Sequence, residues 1–288
     1  MRGLIIKAIS GEYMIIDADD NIHVAKPRGV FRFKEHVPKV GDLVEFDPAK
    51  QVIQKIAPRR NELIRPAVAN IDKAFLVFSV VEPDLNLNLL DRLLAIIEYM
   101  DIEIVIVFTK LDLLTDRTDF DKVNEYYRAL GYHTYLSGLN AVPVEALTAE
   151  AAGNVSVLAG QSGAGKSTLL NALDPSFKLK TDVISRALGR GKHTTRHVEL
   201  LRVGDGWIAD TPGFGNVDFD FPDLLTLSHS FREFFENADG CKFNRCLHID
   251  EPGCTVREMA ASGRILSSRY DNYRLFHREL KDMLKNKY

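Results

Sequence analysis

Gly160-Gln161-Ser162-Gly163-Ala164-Gly165-Lys166-Ser167 is the stretch whose reading decides how this chain folds. It fits G-x-x-x-x-G-K-[ST]. The apolar run Val155–Ala159 before it and the helix-forming run Lys166–Leu173 after it supply the strand, loop and helix that this pattern needs. The glycines let successive backbone N–H groups turn inward on a β-phosphate, and the helix N-terminus adds partial positive charge. Lys166 is expected to reach the β- and γ-phosphates and Ser167 to ligate Mg²⁺, with Thr168 assigned to the nucleotide beside them. A merely glycine-rich turn would not require the flanking strand and helix.

Downstream, Asp210-Thr-Pro-Gly213 follows the strand Trp207–Ala209. An aspartate at such a strand end can hold Mg²⁺ through a water, and the Gly213 N–H can sense a γ-phosphate. Between the two motifs, the polar, glycine-containing stretch Arg186–Arg196 suits a loop that orders over the γ-phosphate, against the bland alternative of a surface loop. Thr194 or Thr195 would offer Mg²⁺ a second hydroxyl. The residues leave that choice open, with Thr195 slightly favoured.

Upstream, Thr109-Lys110-Leu111-Asp112 ends the buried strand Ile102–Phe108 and resembles the Asn-Lys-x-Asp guanine motif. The Asp112 carboxylate would accept from guanine N1–H and N2–H₂. Adenine has neither donor, so ATP would leave Asp112 unpaired. The stem of Lys110 would pack over the ring. Thr109 stands where Asn is usual, which leaves the support of this loop open. Ser137-Gly138 follows the strand Tyr132–Leu136, where N–H groups can meet guanine O6. In most GTPases the base motifs come after the phosphate motifs; here they come first, the mark of a circular permutation. Strand ends on one rim of a sheet survive such a cut. The expected core is thus α/β, a mostly parallel sheet with helices on both faces.

The ends of the chain differ from this middle. Apolar stretches at Leu4–Ile9, Tyr13–Ile16, Leu43–Phe46 and Val52–Ile56, split by turn signals, suit an N-terminal OB-type β-barrel of about five strands, with Pro58–Pro66 as a linker. Near the other end, Cys241-x₄-Cys246-x-His248-x₅-Cys254 holds all three cysteines and one imidazole. An odd, clustered set argues for metal over disulfides, and Cys₃His suits a closed, structural Zn²⁺ site. A helical zinc-binding C-terminal region is expected, giving domains at 1–68, 69–220 and 221–288.

Composition excludes little: of 288 residues, 45% are hydrophobic and 27% charged, ordinary for globular chains. No apolar run nears the ~18–20 residues of a membrane span. The opening Met1–Asp17 alternates and carries early charge, unlike a signal peptide, so a cytoplasmic, membrane-free protein is expected. The chain itself is expected to be a monomer. Charge is uneven: residues 1–68 carry +3, 264–288 carry +4, and the middle −10. A phosphate-rich partner would meet the ends, unless these are simply solvated surfaces.

The order GQSGAGKS, GKHTTRHVEL, DTPGF and CKFNRCLHIDEPGC, behind an OB-like barrel, resembles the RsgA (YjeQ) family of ribosome small subunit-dependent GTPases over essentially the whole chain. The resemblance implies slow GTP hydrolysis stimulated by the small ribosomal subunit, in late assembly of that subunit, with that subunit and its rRNA as partners and GTP and GDP as the bound nucleotides. Ras-like enzymes orient water with a glutamine just after DxxG. Phe214 stands there in this chain. His193, beside the switch threonines, is therefore the catalytic candidate, as the resemblance also implies, along with Lys166 and Thr195. A surface or partner-contacting role for His193 is the alternative. Two other readings are an RNA-binding module with incidental hydrolysis, which Phe214 partly favours, and a P-loop ATPase, which Asp112 opposes.

Overall fold

In the computed structural model, which describes residues 1–29, 37–63, 67–139, 141–179, 198–210 and 219–286, the first five strands close into a ring. They are β1 (Arg2–Ile9), β2 (Glu12–Asp17), β3 (Ile22–Pro27), β4 (Leu43–Asp47) and β5 (Val52–Ile56). β1 pairs antiparallel with both β2 and β4, β2 with β3, and β5 with β4, while β3 runs parallel to β5. An irregularity between Ile5 and Lys7 bends β1, and one strand serves both partners. Closure removes the sheet edges, and Ile5, Ile15, Val44, Phe46 and Ile53 fill the interior. This is the expected barrel of OB type.

β3 buries the opposite face from the one its Ile22-x-Val24 alternation suggests. Ile22 and Val24 are exposed, and Ala25 is the residue it buries. The supposed linker Pro58–Pro66 needs correction over its described part. Arg59 donates to both oxygens of the fully buried Asp42 at 2.8 Å, Glu62 bridges to Ala69, and Asn61 clamps Ile71 through its Nδ2 and Oδ1. Buried polar groups demand partners, and Asp42 finds its cation in this stretch, which therefore packs as structure.

Packing groups Met1–Ala74, Pro143–Ala159 and Lys166–Phe214 into one unit, and Phe75–Val142, Gly160–Gly165 and Gly215–Tyr288 into a second. In the first, the barrel continues through β1 into β10 (Glu199–Val203), which forms a hairpin with β11 (Gly206–Asp210); β11 runs parallel to β9 (Val155–Gly160). α3 (Val144–Ala151) and α4 (Lys166–Leu173) belong here too. α3 escaped the sequence reading because only Leu147 and Ala151 are buried along it.

The second unit carries most of β6 (Lys73–Ser79), then α1 (Leu87–Tyr99), β7 (Glu103–Thr109), α2 (Thr118–Ala129) and β8 (His133–Leu136). β6, β7 and β8 lie side by side, β7 and β8 parallel. β6 is buried at every residue, as expected for a strand covered on both faces. α5 (Leu224–His229), α6 (Arg232–Asn237), α7 (Thr255–Ala261) and α8 (Ser267–Lys285) follow. Phe219, Phe221, Phe231, Phe234, Tyr273 and Phe276 share one core with Ala95 and Ile96 of α1.

A charged cluster crosses that core. Arg269 of α8, fully buried, donates to Asp91 of α1 at 2.7 Å and to Glu233 of α6 at 2.8 Å, and its guanidinium lies 4.3 Å from the Phe231 ring centre. Tyr127 of α2 and Asn272 of α8 donate to Asp91, each at 2.6 Å. Burial pushes the Asp91 carboxyl above its usual range even with Arg269 beside it. Removing one partner of such a cluster leaves buried charge without compensation. Arg269→Met is expected to cost about 3–5 kcal/mol in denaturant unfolding. That loss should shrink as pH falls, because the Asp91 carboxyl, already held above its usual range by burial, takes up a proton and removes charge left stranded. A pH-independent loss under 1 kcal/mol would refute this account of the core.

Among the described residues, no helix is long and apolar enough to cross a membrane.

Candidate functional site

The phosphate loop takes the conformation that its glycines permit. Gly160, Gly163 and Gly165 all have positive φ, at 124°, 77° and 86°. At Gly160 a Cβ would stand 2.1 Å from the Val77 carbonyl oxygen, so any side chain there would push the loop off β6. α4 starts at Lys166, with Ser167 and Thr168 in its first turn, where orphan N–H groups and the helix dipole favour an anion. Ala164 is buried, whereas Ser162 and Thr168 are exposed.

The open question at Thr109 has a structural answer. Its hydroxyl donates to the Ala164 carbonyl at 2.6 Å, tying the end of β7 to the phosphate loop. A short hydroxyl thus supports this loop where an asparagine would be usual. Lys110 adopts φ 61°, turning the chain into a 3₁₀ turn at Leu111–Leu113 that presents Asp112. Asp112 is exposed, and its Oδ1 accepts from the Leu139 N–H at 3.0 Å. Gly138 lies against it: a Cβ at Gly138 would come within 3.1 Å of the same oxygen. The structure therefore brings Thr109, Lys110, Asp112, Ser137 and Gly138 together, with Leu111 donating to the Ser137 carbonyl at 3.2 Å.

The second cluster is metal-like. The donor atoms of Cys241, Cys246, His248 and Cys254 all lie within 4.8 Å of one another. Cys241 Sγ stands 3.9 Å from Cys254 Sγ and 3.6 Å from His248 Nδ1, and His248 Nδ1 is 3.3 Å from Cys254 Sγ. A disulfide would need roughly 2.05 Å. Sulfur ligands on one tetrahedral Zn²⁺, at about 2.3 Å each, would lie roughly 3.8 Å apart. Burial pushes the Cys246 thiol up to about 12 and lowers His248 to about 4, which favours the neutral imidazole that a metal needs. The donor set fits zinc in number, type and spacing.

Its support was not evident in the sequence. Glu251 accepts from the backbone N–H groups of Leu247, Ile249 and Asp250 at 2.8–3.1 Å, curling the loop between His248 and Cys254. Tyr270 of α8 donates to the His248 carbonyl at 2.7 Å. An acidic residue between two ligands was the only available hint.

Several expected site residues cannot be placed. His193, Thr194, Thr195, Gly213 and Phe214 lie outside the described residues. Asp210 ends β11, but its side chain is also outside them.

Residues 56–220 match the RsgA GTPase family and residues 2–53 the RsgA N-terminal domain. The chain is 47% identical over 287 residues to the small ribosomal subunit biogenesis GTPase RsgA of Geobacillus sp. strain WCH70, covering 98% of each. It is 43% identical over 294 residues to that of Halalkalibacterium halodurans, covering 100% of this chain and 99% of the relative. Among solved structures, YloQ, a circularly permuted GTPase, superposes with a TM-score of 0.82 at 37% identity, covering 98% of this chain and 95% of that one. YjeQ from Thermotoga maritima also gives 0.82, at 35% identity, covering 97% and 98%.

Proposed function

The chain belongs to the RsgA GTPase family, and from that premise we propose that its GTP hydrolysis serves maturation of the small ribosomal subunit. It is a GTP-hydrolysing enzyme built on a circularly permuted GTPase fold. The observation that carries the proposal is end-to-end similarity, at 47% identity in one case, to GTPases named for biogenesis of that subunit.

In this reading Gly160–Ser167 and Thr168 hold the phosphates, while Thr109, Lys110, Asp112, Ser137 and Gly138 hold guanine. Ser167 and Thr195 are the proposed Mg²⁺ ligands, with Asp210 behind a water and Thr194 the alternative to Thr195. Bound Mg²⁺ would neutralise charge developing on the β- and γ-phosphates. Lys166 donates to the same oxygens, Gly213 senses the γ-phosphate, and GDP is the product state. Cys241, Cys246, His248 and Cys254 hold one structural Zn²⁺. We assign RNA binding to residues 1–68, nucleotide chemistry to 69–220 and the zinc-bearing region to 221–288, in a cytoplasmic monomer.

rRNA is the partner surface that the charge supports. Arg274, Arg278, Lys281 and Lys285 are all exposed at helical spacing along α8, and although Asp271 and Asp282 lie 3.7 Å from Arg274 and Lys285, the face stays net basic. Arg269, the other arginine of α8, is buried between carboxylates and is unavailable to a phosphate. The RNA-binding-module reading differs only in whether turnover matters. Co-sedimentation with small ribosomal subunits should show tighter binding with a GTP analogue than with GDP, weakening steeply with salt. By linkage the subunit should raise affinity for the analogue by the same factor. Equal subunit affinity in both nucleotide states would remove the switch from the proposal.

We assign orientation of the attacking water to His193, since Phe214 can neither donate nor accept. His193→Ala should lower subunit-stimulated turnover by about 10²-fold while GTP affinity stays within about twofold. Unchanged stimulated turnover would move the role to another residue.

A further inference from the structure

Three consecutive carbonyls between β6 and α1 each receive a hydrogen bond from a different part of the nucleotide-binding framework. Glu82 accepts from the ammonium of Lys110, the base-motif lysine. Pro83 accepts from the hydroxyl of Ser79, the fully buried last residue of β6, at 2.7 Å. Asp84 accepts from the Nε2 amide of Gln161, the second residue of the phosphate loop, at 2.8 Å. Gln161 Oε1 also lies 3.5 Å from the Ser79 hydroxyl, and the Pro83 ring sits under Gly163, where a Cβ would meet Pro83 Cδ at 3.4 Å.

A long lysine stem is a poor platform unless its end is held, because a free lysine loses considerable rotamer entropy when it is ordered. Here the end is held by a backbone carbonyl, and the loop that presents the carbonyl is held by Ser79 and Gln161. Gln161, placed in the nucleotide site by motif alone, directs its side-chain amide into this loop.

We propose that Glu82-Pro83-Asp84 is a strut joining the base site to the phosphate loop, with Ser79 and Gln161 as positioning residues that keep Lys110 stretched over guanine. The inference rests on the reading of Lys110 as the residue that covers the base. Pre-ordering the lysine lowers the entropy lost when nucleotide binds. The strut therefore acts on guanine-nucleotide retention.

The test is the dissociation rate of a fluorescent GDP from the full-length chain. Lys110→Met retains the stem but loses the donor; Gln161→Leu retains volume but loses the tie to Asp84. Each should speed dissociation roughly three- to tenfold, as loss of one hydrogen bond implies. If both act through one strut, the double variant should be little faster than the faster single variant. Lys110→Arg, which can still donate to the Glu82 carbonyl, should restore most of the retention. Ser79 is fully buried and its removal risks misfolding, so the half-exposed Gln161 carries the test. Multiplying effects in the double variant, or wild-type dissociation in either single variant, would overturn the strut. The base-site reading would still stand or fall separately on nucleotide preference at Asp112.

Discussion

Replacing Cys246 by Ser, or stripping the metal with a strong chelator, should unfold the C-terminal helices and loosen α1 with them. In the proposed site three cysteines and one histidine would grip a loop that Glu251 and two tyrosines of α8 also brace. Apparent binding free energies for structural Zn²⁺ in small peptides run to about 10–16 kcal/mol, comparable with the total stability of a domain. Cys246 and Cys254 also belong to the core that buries Ala95 and Ile96, so damage should extend beyond the loop. The purified chain should carry about one zinc by elemental analysis. Amide exchange in Cys246→Ser should rise across Leu224–Lys285 and along the buried face of α1. A metal-free preparation with wild-type protection in these helices would eliminate the site.

Asp112→Asn should exchange one base preference for another. The wild-type carboxylate is expected to take two charge-assisted hydrogen bonds from guanine, worth about 1.5–3 kcal/mol each. Losing them predicts GTP affinity falling by roughly 10²–10⁴-fold. The new amide can donate to the 2-oxo group of xanthine, so xanthosine triphosphate should bind better than it does to the wild type. The exposed position of Asp112, braced by the Leu139 N–H, lets the substitution be made without disturbing a core. A variant binding both nucleotides as the wild type does would show that the base lies elsewhere.

Sequence legibility followed chain proximity. The phosphate loop and the zinc ligands were readable because each set lies within a short segment and its chemistry demands particular residue types: glycine where φ must be positive, thiolate and imidazole where a metal must be gripped. Thr109-Lys-Leu-Asp112 was readable by type but not in its support. Whether a threonine could brace that loop depended on the distance from its hydroxyl to Ala164, some fifty residues away in sequence. β3 and α3 were obscured because their burial does not follow their hydrophobicity.

The permuted order of motifs, and hence the family, was determined by sequence alone, because backbone-cradled phosphate and carboxylate-read guanine each need specific residues at fixed spacing. Tertiary structure decided what holds those motifs in place. Arg269 read as one more positive charge on a basic helix; only folding placed it between Asp91 and Glu233, 178 and 36 residues distant. Glu82, Pro83 and Asp84 contribute through backbone carbonyls, which every residue type carries, so no pattern of side chains could have marked them. Contacts made by main-chain atoms, or between residues far apart in the chain, leave no local signature because their energy depends on distances that only the packed fold sets.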